Sequence, residues 1–268
     1  MIYPKIVNAK TKGEKLFILL IDPDKTSIGQ LERTLLLAAK AGVDLILVGS
    51  SLLMNNDLDH YIRRIKLQSP VPVVLFPGNA FQLSNEADGI LLLSLISGRN
   101  PELLIGQHVI AAPFLWQSDL EVMPTGYMLI DGGVPTSVSY ISNTTPIPAN
   151  KKDIALCTAM AGQLMGLRLI YMDAGSGAKH AISPTMISTV SQTIQVPLIV
   201  GGGIRTPKQA LQAVQAGADA IVVGNALEES PELLLEMVAA VRSLSLSPSA
   251  QGVNNSPLEG KEVKGERL

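Results

Sequence analysis

The chain has 268 residues, of which 47% are hydrophobic and 16% are charged, and its net charge is −2 at pH 7. This length suits one domain of roughly 250 residues better than two small ones, and the balanced charge offers no basic surface for nucleic acid. The single cysteine, Cys157, excludes an internal disulfide framework. The sequence shows neither a signal-peptide pattern nor an apolar run of the roughly 20 residues that a membrane-spanning helix requires, so we expect a cytoplasmic protein.

Short apolar runs rich in Leu, Ile and Val alternate along the chain with segments of helical pattern. Such runs are typical of parallel strands that are buried on both faces. The pattern predicts eight strands, at residues 16–21, 44–48, 71–76, 87–93, 126–130, 167–172, 196–200 and 218–223. It predicts helices at residues 5–15, 31–41, 57–68, 151–166, from 184 onward, 208–216 and 231–244. The alternation predicts an α/β fold, the (β/α)8 TIM barrel.

Some segments do not follow the regular alternation. Residues 80–86 are too few for a full helix between the third and fourth strands, so we expect an irregular connection there. Farther along, residues 101–106 look helical, and residues 108–112 could form an extra short strand. The polar stretch 131–150 predicts a long loop, which in a compact domain is usually functional or mobile.

The carboxyl-terminal half contains two further structural predictions. On the helix predicted at 151–166, we expect Cys157, Met160 and Met165 to be packing residues of the core. From Ser245 the composition changes to Ser, Pro, Asn, Gly and charged residues. This change predicts a single barrel domain over residues 1–244 and a disordered tail over residues 245–268.

Three consecutive glycines, residues 201–203, stand between an apolar run and a helical segment. Glycine permits a positive φ and a close approach of the backbone to a ligand, and the next helix would offer free N–H groups to an anion. The pattern returns at Gly224 and Asn225. Because the loops after strands 7 and 8 of such barrels often bind phosphate, we predict a phosphate site here. The glycines could instead serve only tight strand–helix packing.

Polar residues stand at the carboxyl ends of the predicted strands, which a barrel brings to one face. They are Asp22, Asp24, Ser50, Ser51, Asn79, Asp131, Tyr171, Asp173, Gly202, Gly203, Gly224 and Asn225. The carboxylates would form a catalytic or metal half of the site, because Mg²⁺ favours carboxylate, hydroxyl and water oxygens. Asp22 could instead be only a turn residue beside Pro23.

Five motifs occur in a fixed order: Ile-Asp-Pro-Asp-Lys at 21–25, Val-Gly-Ser-Ser at 48–51, Tyr-Met-Asp-Ala-Gly-Ser-Gly-Ala at 171–178, Gly-Gly-Gly-Ile-Arg-Thr at 201–206, and Gly-Asn at 224–225. Over about residues 10 to 243 the chain resembles the geranylgeranylglyceryl phosphate synthase family, which includes the bacterial heptaprenylglyceryl phosphate synthases. The fourth motif, Gly-Gly-Gly-Ile-Arg-Thr, is shared with many phosphate-binding barrels. The first and third motifs together are specific to this family.

The resemblance implies a prenyltransferase that joins the carbon-3 hydroxyl of sn-glycerol 1-phosphate to a long polyprenyl diphosphate, such as geranylgeranyl diphosphate. The products would be an ether-lipid precursor and pyrophosphate. By this similarity Asp22 and Ser51 would bind Mg²⁺, and Tyr171 and Asp173 would be catalytic. Glycerol phosphate would bind Tyr171, Met172, Asp173, Ala174, Gly175, Ser176, Gly177, Gly202, Gly203, Gly224 and Asn225. The irregular segment after the third strand would open an apolar groove for the prenyl chain.

Two positions depart from the pattern of the family that the chain resembles. The family usually has Glu where this chain has Asp173, so the carboxylate is one methylene shorter. Some members carry a basic residue where this chain has Leu20, which leaves Arg205 or Lys25 as the candidate cation for phosphate.

Two other functions fit the same residues. A phosphosugar isomerase or phosphoribosyl-type barrel enzyme could use Asp22 and Asp131 as acid and base. A non-catalytic module that binds a phosphorylated ligand would give Asp22 no chemical role.

For either enzyme class the high apolar fraction favours a homo-oligomer, and a lipid product would imply transient contact with a membrane surface.

Overall fold

A computed structural model describes residues 1–54 and 57–245. Within these residues eight parallel strands pair in sequence order, and the last pairs with the first to close a barrel. They are β1 Leu16–Ile21, β2 Leu45–Val48, β3 Val73–Leu75, β4 Gly89–Leu95, β5 Glu121–Leu129, β6 Leu169–Asp173, β7 Leu198–Gly201 and β8 Ala220–Val223. The predicted (β/α)8 fold is confirmed.

Helices cover the outside of the barrel and its amino-terminal end. In the described residues they are α1 Ile2–Lys12, α2 Ile28–Ala41, α3 Leu58–Gln68, α4 Gln107–Gln117, α5 Ser137–Ser142, α6 Lys152–Leu164, α7 Pro184–Ser191, α8 Pro207–Gln215, α9 Asn225–Glu229 and α10 Leu233–Ser245. The ends follow local sequence: Ser27 accepts a hydrogen bond from the Gln30 N–H to start α2, and Gly42 ends that helix at φ 77°. No helix in the described part has the length and apolar character to cross a bilayer.

The core has two layers because successive side chains of a strand point to opposite faces. Inside the barrel, Leu47, Val74 and Ile199 belong to one buried cluster, which Ile2 and Ile6 of α1 close from the amino-terminal end. A second, larger cluster lies between the strands and the surrounding helices. On β6 this alternation turns Tyr171 and Asp173 toward the barrel interior and Met172 toward the helices.

The connection between β3 and β4 contains no helix in its described residues, 76–88, as the sequence predicts. It is held instead by amide hydrogen bonds. The Gly78 N–H donates to the Gln82 side chain at 3.1 Å, and the Ala80 N–H donates to the Gln107 side chain of α4 at 2.9 Å. The connection therefore places no helix over the outer face of β4, and α4 faces that strand across a groove.

The segment between β4 and β5 differs from its prediction. Residues 108–112 are not a strand but part of α4, which follows a π-helical turn at Glu102–Gly106. An apolar run of this length does not by itself distinguish a strand from a buried helix. β5 begins at Glu121, five residues before its predicted start, although it contains Pro124.

Two other predictions need correction. The stretch 131–150 is not entirely a loop, because it contains α5. Cys157 and Met160 on α6, and Met165 directly after its end, are exposed and do not pack in the core. Apolar residues lie on all sides of α6, so its pattern could not show which face is buried. The predicted disordered tail falls on residues outside the described part of the chain, apart from Ser245 at the end of α10.

Candidate active site

A basin that contains charged and hydroxyl side chains among apolar ones opens at the carboxyl ends of the strands. Ten of the residues expected at the site line it: Asp22, Ser51, Tyr171, Asp173, Ser176, Gly177, Gly202, Gly203, Gly224 and Asn225. Three others do not: Met172 and Ala174 pack in the outer core cluster, and Gly175 contributes its backbone to the turn beneath the basin. The barrel thus brings together residues that are up to 203 positions apart in sequence, from Asp22 to Asn225.

The glycine turns of β6 and β7 lie against each other at one side of the basin. Gly202 has φ 76°, and a Cβ atom there would lie 2.4 Å from Asp173 Oδ1 and 2.6 Å from the Ala174 nitrogen. Gly203 has φ 69°, and its Cβ would lie 2.6 Å from the His180 carbonyl oxygen. Glycine is therefore required twice over, by the backbone conformation and by the contact between the two turns.

The part of the basin where the sequence predicts a phosphate site is built differently from that expectation. α8 begins at Pro207, and the Thr206 hydroxyl already accepts a hydrogen bond from the Gln209 N–H in a capping box. The amino terminus of α8 is thus closed by its own side chains. The Arg205 guanidinium donates to the Ala178 carbonyl oxygen at 3.1 Å, which ties the two glycine-rich turns together. The backbone of these turns, and not the end of α8, faces the basin.

Asp173 is buried at the base of the basin, and each of its carboxylate oxygens accepts one hydrogen bond. Its Oδ1 accepts a hydrogen bond from the Gly175 N–H at 2.7 Å, and its Oδ2 accepts one from the Tyr127 hydroxyl at 2.7 Å. Burial raises the pKa of Asp173 above its ordinary value, and these two hydrogen bonds oppose the rise. Burial also raises the pKa of Tyr171 and Tyr127 well above that of free tyrosine, so both phenols stay protonated.

Asp22 occupies the opposite side of the basin, after β1. Its Oδ2 lies 3.0 Å from the Lys25 ammonium and accepts a hydrogen bond from the Ser50 hydroxyl at 3.1 Å. The Asp24 N–H donates to Oδ1 at 3.1 Å. Ser51, the hydroxyl expected to share a metal with Asp22, lines the same basin, but it is Ser50 that the structure hydrogen-bonds to Asp22.

Lys25 and Ser176 connect the two sides of the basin. The Lys25 ammonium lies 3.5 Å from the Ser176 hydroxyl, which donates to the Asn225 side chain at 3.0 Å. Glu228, which the sequence reasoning missed, also lines the basin and interacts with Asn225 at 3.4 Å. Burial raises the pKa of Glu228, Lys25 lowers it, and Asp22 adds to the rise. The sequence signal that could have identified Glu228 is its position in the first helical turn after Gly224 and Asn225.

Asp131, the second carboxylate that an isomerase would need, lies outside the basin. It is exposed, and its Oδ1 accepts a hydrogen bond from the Gly133 N–H at 2.8 Å. Asn79 likewise serves its own turn by accepting from the Phe81 N–H at 2.9 Å. The structure therefore does not pair Asp22 with Asp131.

An apolar groove leads away from the basin through the opening after β3. The two cavities share Ser50, Ser51, Phe76, Tyr127 and Val138. From this junction the groove passes the outer face of β4, where Leu92 and Ile90 line it, and α4 forms the facing wall. The wall residues of α4 are Gln107, His108 and Ala111.

Comparison with known proteins now identifies the family. The PcrB family model matches residues 9–242. The chain belongs to the PcrB family. Geranylgeranylglyceryl phosphate synthase of Chitinophaga pinensis is 52% identical over 242 residues, which cover 90% of this chain and 96% of the relative. The synthase of the same name from Thermococcus gammatolerans is 41% identical over 227 residues, 84% of this chain and 89% of the relative.

A solved structure of the family has the same fold. The crystal structure of (S)-3-O-geranylgeranylglyceryl phosphate synthase from Thermoplasma acidophilum, in complex with sn-glycerol-1-phosphate, superposes with a TM-score of 0.86 and 33% identity. The match covers 91% of this chain and 99% of that one. The resemblance inferred from the motifs is confirmed, and this PcrB family chain is an enzyme of the prenyltransferase class.

Proposed function

We propose that this PcrB family enzyme transfers a long polyprenyl group, geranylgeranyl or similar, from its diphosphate to the carbon-3 hydroxyl of sn-glycerol 1-phosphate, with Mg²⁺ as cofactor. The observation that carries the proposal is the junction of two unlike cavities at Phe76 and Tyr127. A basin that contains charged and hydroxyl side chains suits a phosphorylated acceptor, and an apolar groove suits an isoprenoid chain. A donor seated in both would have its reactive carbon at the junction.

The acceptor half of the basin is assigned to the turns after β6, β7 and β8. Backbone approach at Gly202 and Gly203, together with Ser176 and Asn225, suits a phosphate group and neighbouring hydroxyls. The relative from Thermoplasma acidophilum binds sn-glycerol-1-phosphate, which supports the same acceptor for this chain. With Leu20 apolar, we assign phosphate to Lys25, because its ammonium reaches the Ser176 hydroxyl of the acceptor turns at 3.5 Å as well as Asp22 at 3.0 Å, whereas Arg205 donates to the Ala178 carbonyl.

The donor half is assigned to Asp22 and the serines after β2. The described residues contain no cluster of three His, Cys, Asp or Glu side chains that would cage a metal. Mg²⁺ does not need one, because it commonly takes one or two carboxylates and completes its shell with water and substrate phosphate oxygens. Asp22 with Ser50 and Ser51 fits such a set. When bound, the ion would supply positive charge that neutralises the leaving diphosphate.

Asp173 is assigned the proton-handling role. In the reaction the hydroxyl oxygen forms a bond to carbon 1 of the prenyl chain, and the bond from that carbon to the diphosphate oxygen breaks. The hydroxyl proton passes to the Asp173 carboxylate, which lies beside the glycine turns at the base of the basin. The turns hold the acceptor in one orientation, which removes much of the entropic cost of bringing two substrates together.

The test is direct synthesis of the lipid. The purified enzyme is incubated with Mg²⁺, labelled sn-glycerol 1-phosphate and prenyl diphosphates from C15 to C35, and the mixture is extracted with organic solvent. We expect labelled ether lipid with sn-glycerol 1-phosphate and much less with its mirror isomer, sn-glycerol 3-phosphate. The absence of labelled lipid at every chain length would contradict the proposal.

We further propose that the enzyme is a homo-oligomer that uses the outer faces of α4 and α6, which precede and follow β5 in the chain. Large apolar side chains are exposed there, including Trp116 at 92% and Leu164 at 83%. The others are Val109, Ile110, Met160 and Met165. Exposed apolar patches of this kind usually mark an interaction surface, and a second copy would bury it. Light scattering should give a molecular mass that is a multiple of 28.4 kDa, and the double variant Trp116→Glu, Leu164→Glu should give a smaller mass. A monomeric wild-type enzyme would contradict the homo-oligomer and would assign the exposed apolar face to a membrane surface instead.

A further inference from the structure

Tyr127 occupies the point where the groove and the basin meet. It lies on β5, is buried, and lines both cavities. Its ring makes edge-to-face contacts with Phe76, at a centroid distance of 6.0 Å, and with Tyr171, at 5.5 Å. Phe76 and Tyr171 are themselves stacked at 5.4 Å. Three aromatic rings therefore fix the position of the Tyr127 hydroxyl before any substrate enters.

The Tyr127 hydroxyl contacts the Asp173 carboxylate at the base of the basin. It donates to Asp173 Oδ2 at 2.7 Å, while the Gly175 N–H donates to Oδ1 at 2.7 Å. Two donors on two oxygens leave the carboxylate a single orientation. Each carboxylate oxygen keeps a further lone pair for a substrate hydroxyl, since an ionised carboxylate can accept about four hydrogen bonds.

The charge on Asp173 depends on the same contact. The titratable groups that face it among the described residues are Tyr127 from β5 and Tyr171 from its own strand. Burial raises the pKa of Asp173 and so favours the protonated acid, which cannot accept a proton. The hydrogen bonds from Tyr127 and Gly175 favour the ionised form. Tyr127 is the one of these two donors that a side-chain substitution can remove.

We propose that Tyr127 is a positioning residue for the transfer reaction: its hydroxyl holds the Asp173 carboxylate at the junction of groove and basin, oriented and ionised for the acceptor hydroxyl. This inference rests on the proposed function, and it assigns a role to a residue outside the glycine-rich and Asp-Pro-Asp-Lys motifs. Tyr127 does not itself take the proton, because it is already a donor and burial keeps it protonated.

The first experiment removes only the hydroxyl. Tyr127→Phe keeps the ring and its contacts with Phe76 and Tyr171. We expect kcat to fall about tenfold or more, with little change in KM for the prenyl diphosphate. The acid limb of the kcat/KM profile should move to higher pH, because an Asp173 without this hydrogen bond stays protonated to a higher pH. Tyr140→Phe, which removes an exposed hydroxyl outside the basin and the groove, should leave the position of that limb unchanged.

Two further measurements keep the inference testable if turnover is low. Replacing Tyr127 with 3-fluorotyrosine gives a more acidic donor, so the acid limb should move to lower pH, opposite to the Phe variant. Carbon-13 NMR titration of the aspartates, with the Asp173 signal assigned by its loss in Asp173→Asn, measures the same shift without any substrate. An Asp173 titration that is identical in wild type and Tyr127→Phe would overturn the inference. Failure of the lipid assay with a shifted titration would instead count against the proposed function.

Discussion

Gly202 gives the most direct test of how the two glycine-rich turns form the site. Alanine there must adopt φ 76° and place its Cβ 2.4 Å from Asp173 Oδ1 and 2.6 Å from the Ala174 nitrogen. The left-handed conformation costs about 1–2 kcal/mol for a residue with a Cβ. The contacts add about 1–3 kcal/mol, the usual cost of overpacking, because one of the crowded atoms is backbone and cannot rotate away.

A matched control separates these two costs. Gly42, which ends α2, has φ 77°, and a Cβ there meets nothing within 4 Å. Gly42→Ala should therefore lose only the conformational part, about 1–2 kcal/mol, while Gly202→Ala should lose roughly 1–3 kcal/mol more. Urea denaturation followed by circular dichroism measures both free energies of unfolding, and an unchanged m value shows that the transitions are comparable.

Substrate binding provides the second half of the test. The Gly202 Cβ would push against Asp173 and the Ala174–Gly175 backbone, so the acceptor site should be deformed in the folded protein. Calorimetric titration with sn-glycerol 1-phosphate should show at least about tenfold weaker binding to Gly202→Ala, equivalent to about 1.4 kcal/mol, and unchanged binding to Gly42→Ala. Equal stability losses in the two variants, or normal binding by Gly202→Ala, would refute the reasoning.

Three other predictions follow from the site. Asp173→Asn should raise the thermal midpoint at pH 7 by a few degrees while reducing turnover. Burial raises the pKa of Asp173 in the folded state, so the protonated acid stabilises the fold at low pH, and this stabilisation is lost as the pH rises through the folded-state pKa. Asparagine does not ionise and avoids that loss. Differential scanning calorimetry should therefore show a higher midpoint for the variant at pH 7 and no such difference in acid. Asp22→Asn should lower turnover about a hundredfold or more and change the Kd for glycerol phosphate less than about threefold, whereas equal losses would argue against a metal role. Ala111→Trp should place a large side chain in the groove from its α4 wall and so leave room only for shorter prenyl chains. Mass spectrometry of the extracted lipid would detect the shorter products.

Much of the barrel could be predicted because buried parallel strands have a strong local signal. β1 has the bounds that its apolar run predicted, and the Ser27 start and Gly42 end of α2 follow directly from residue type. Where the apolar pattern lost its period, prediction failed. α4 contains apolar residues on every side and Pro113 within it, so the sequence alone suggested a short strand for part of it.

The motif residues of the site could be predicted for a similar reason, since strand ends and glycine turns are local features. The sequence by itself determined the barrel, the glycine-rich turns at the ends of β6 and β7 and the position of Asp22 after β1. Only the tertiary structure decided which partners these residues meet. Tyr127 reaches Asp173, 46 residues away, because the register of β5 and β6 sets Tyr127 beside Tyr171, and Asp22 meets the Ser50 hydroxyl across 28 residues. Such contacts depend on strand register and on closure of the whole barrel, which no local pattern encodes.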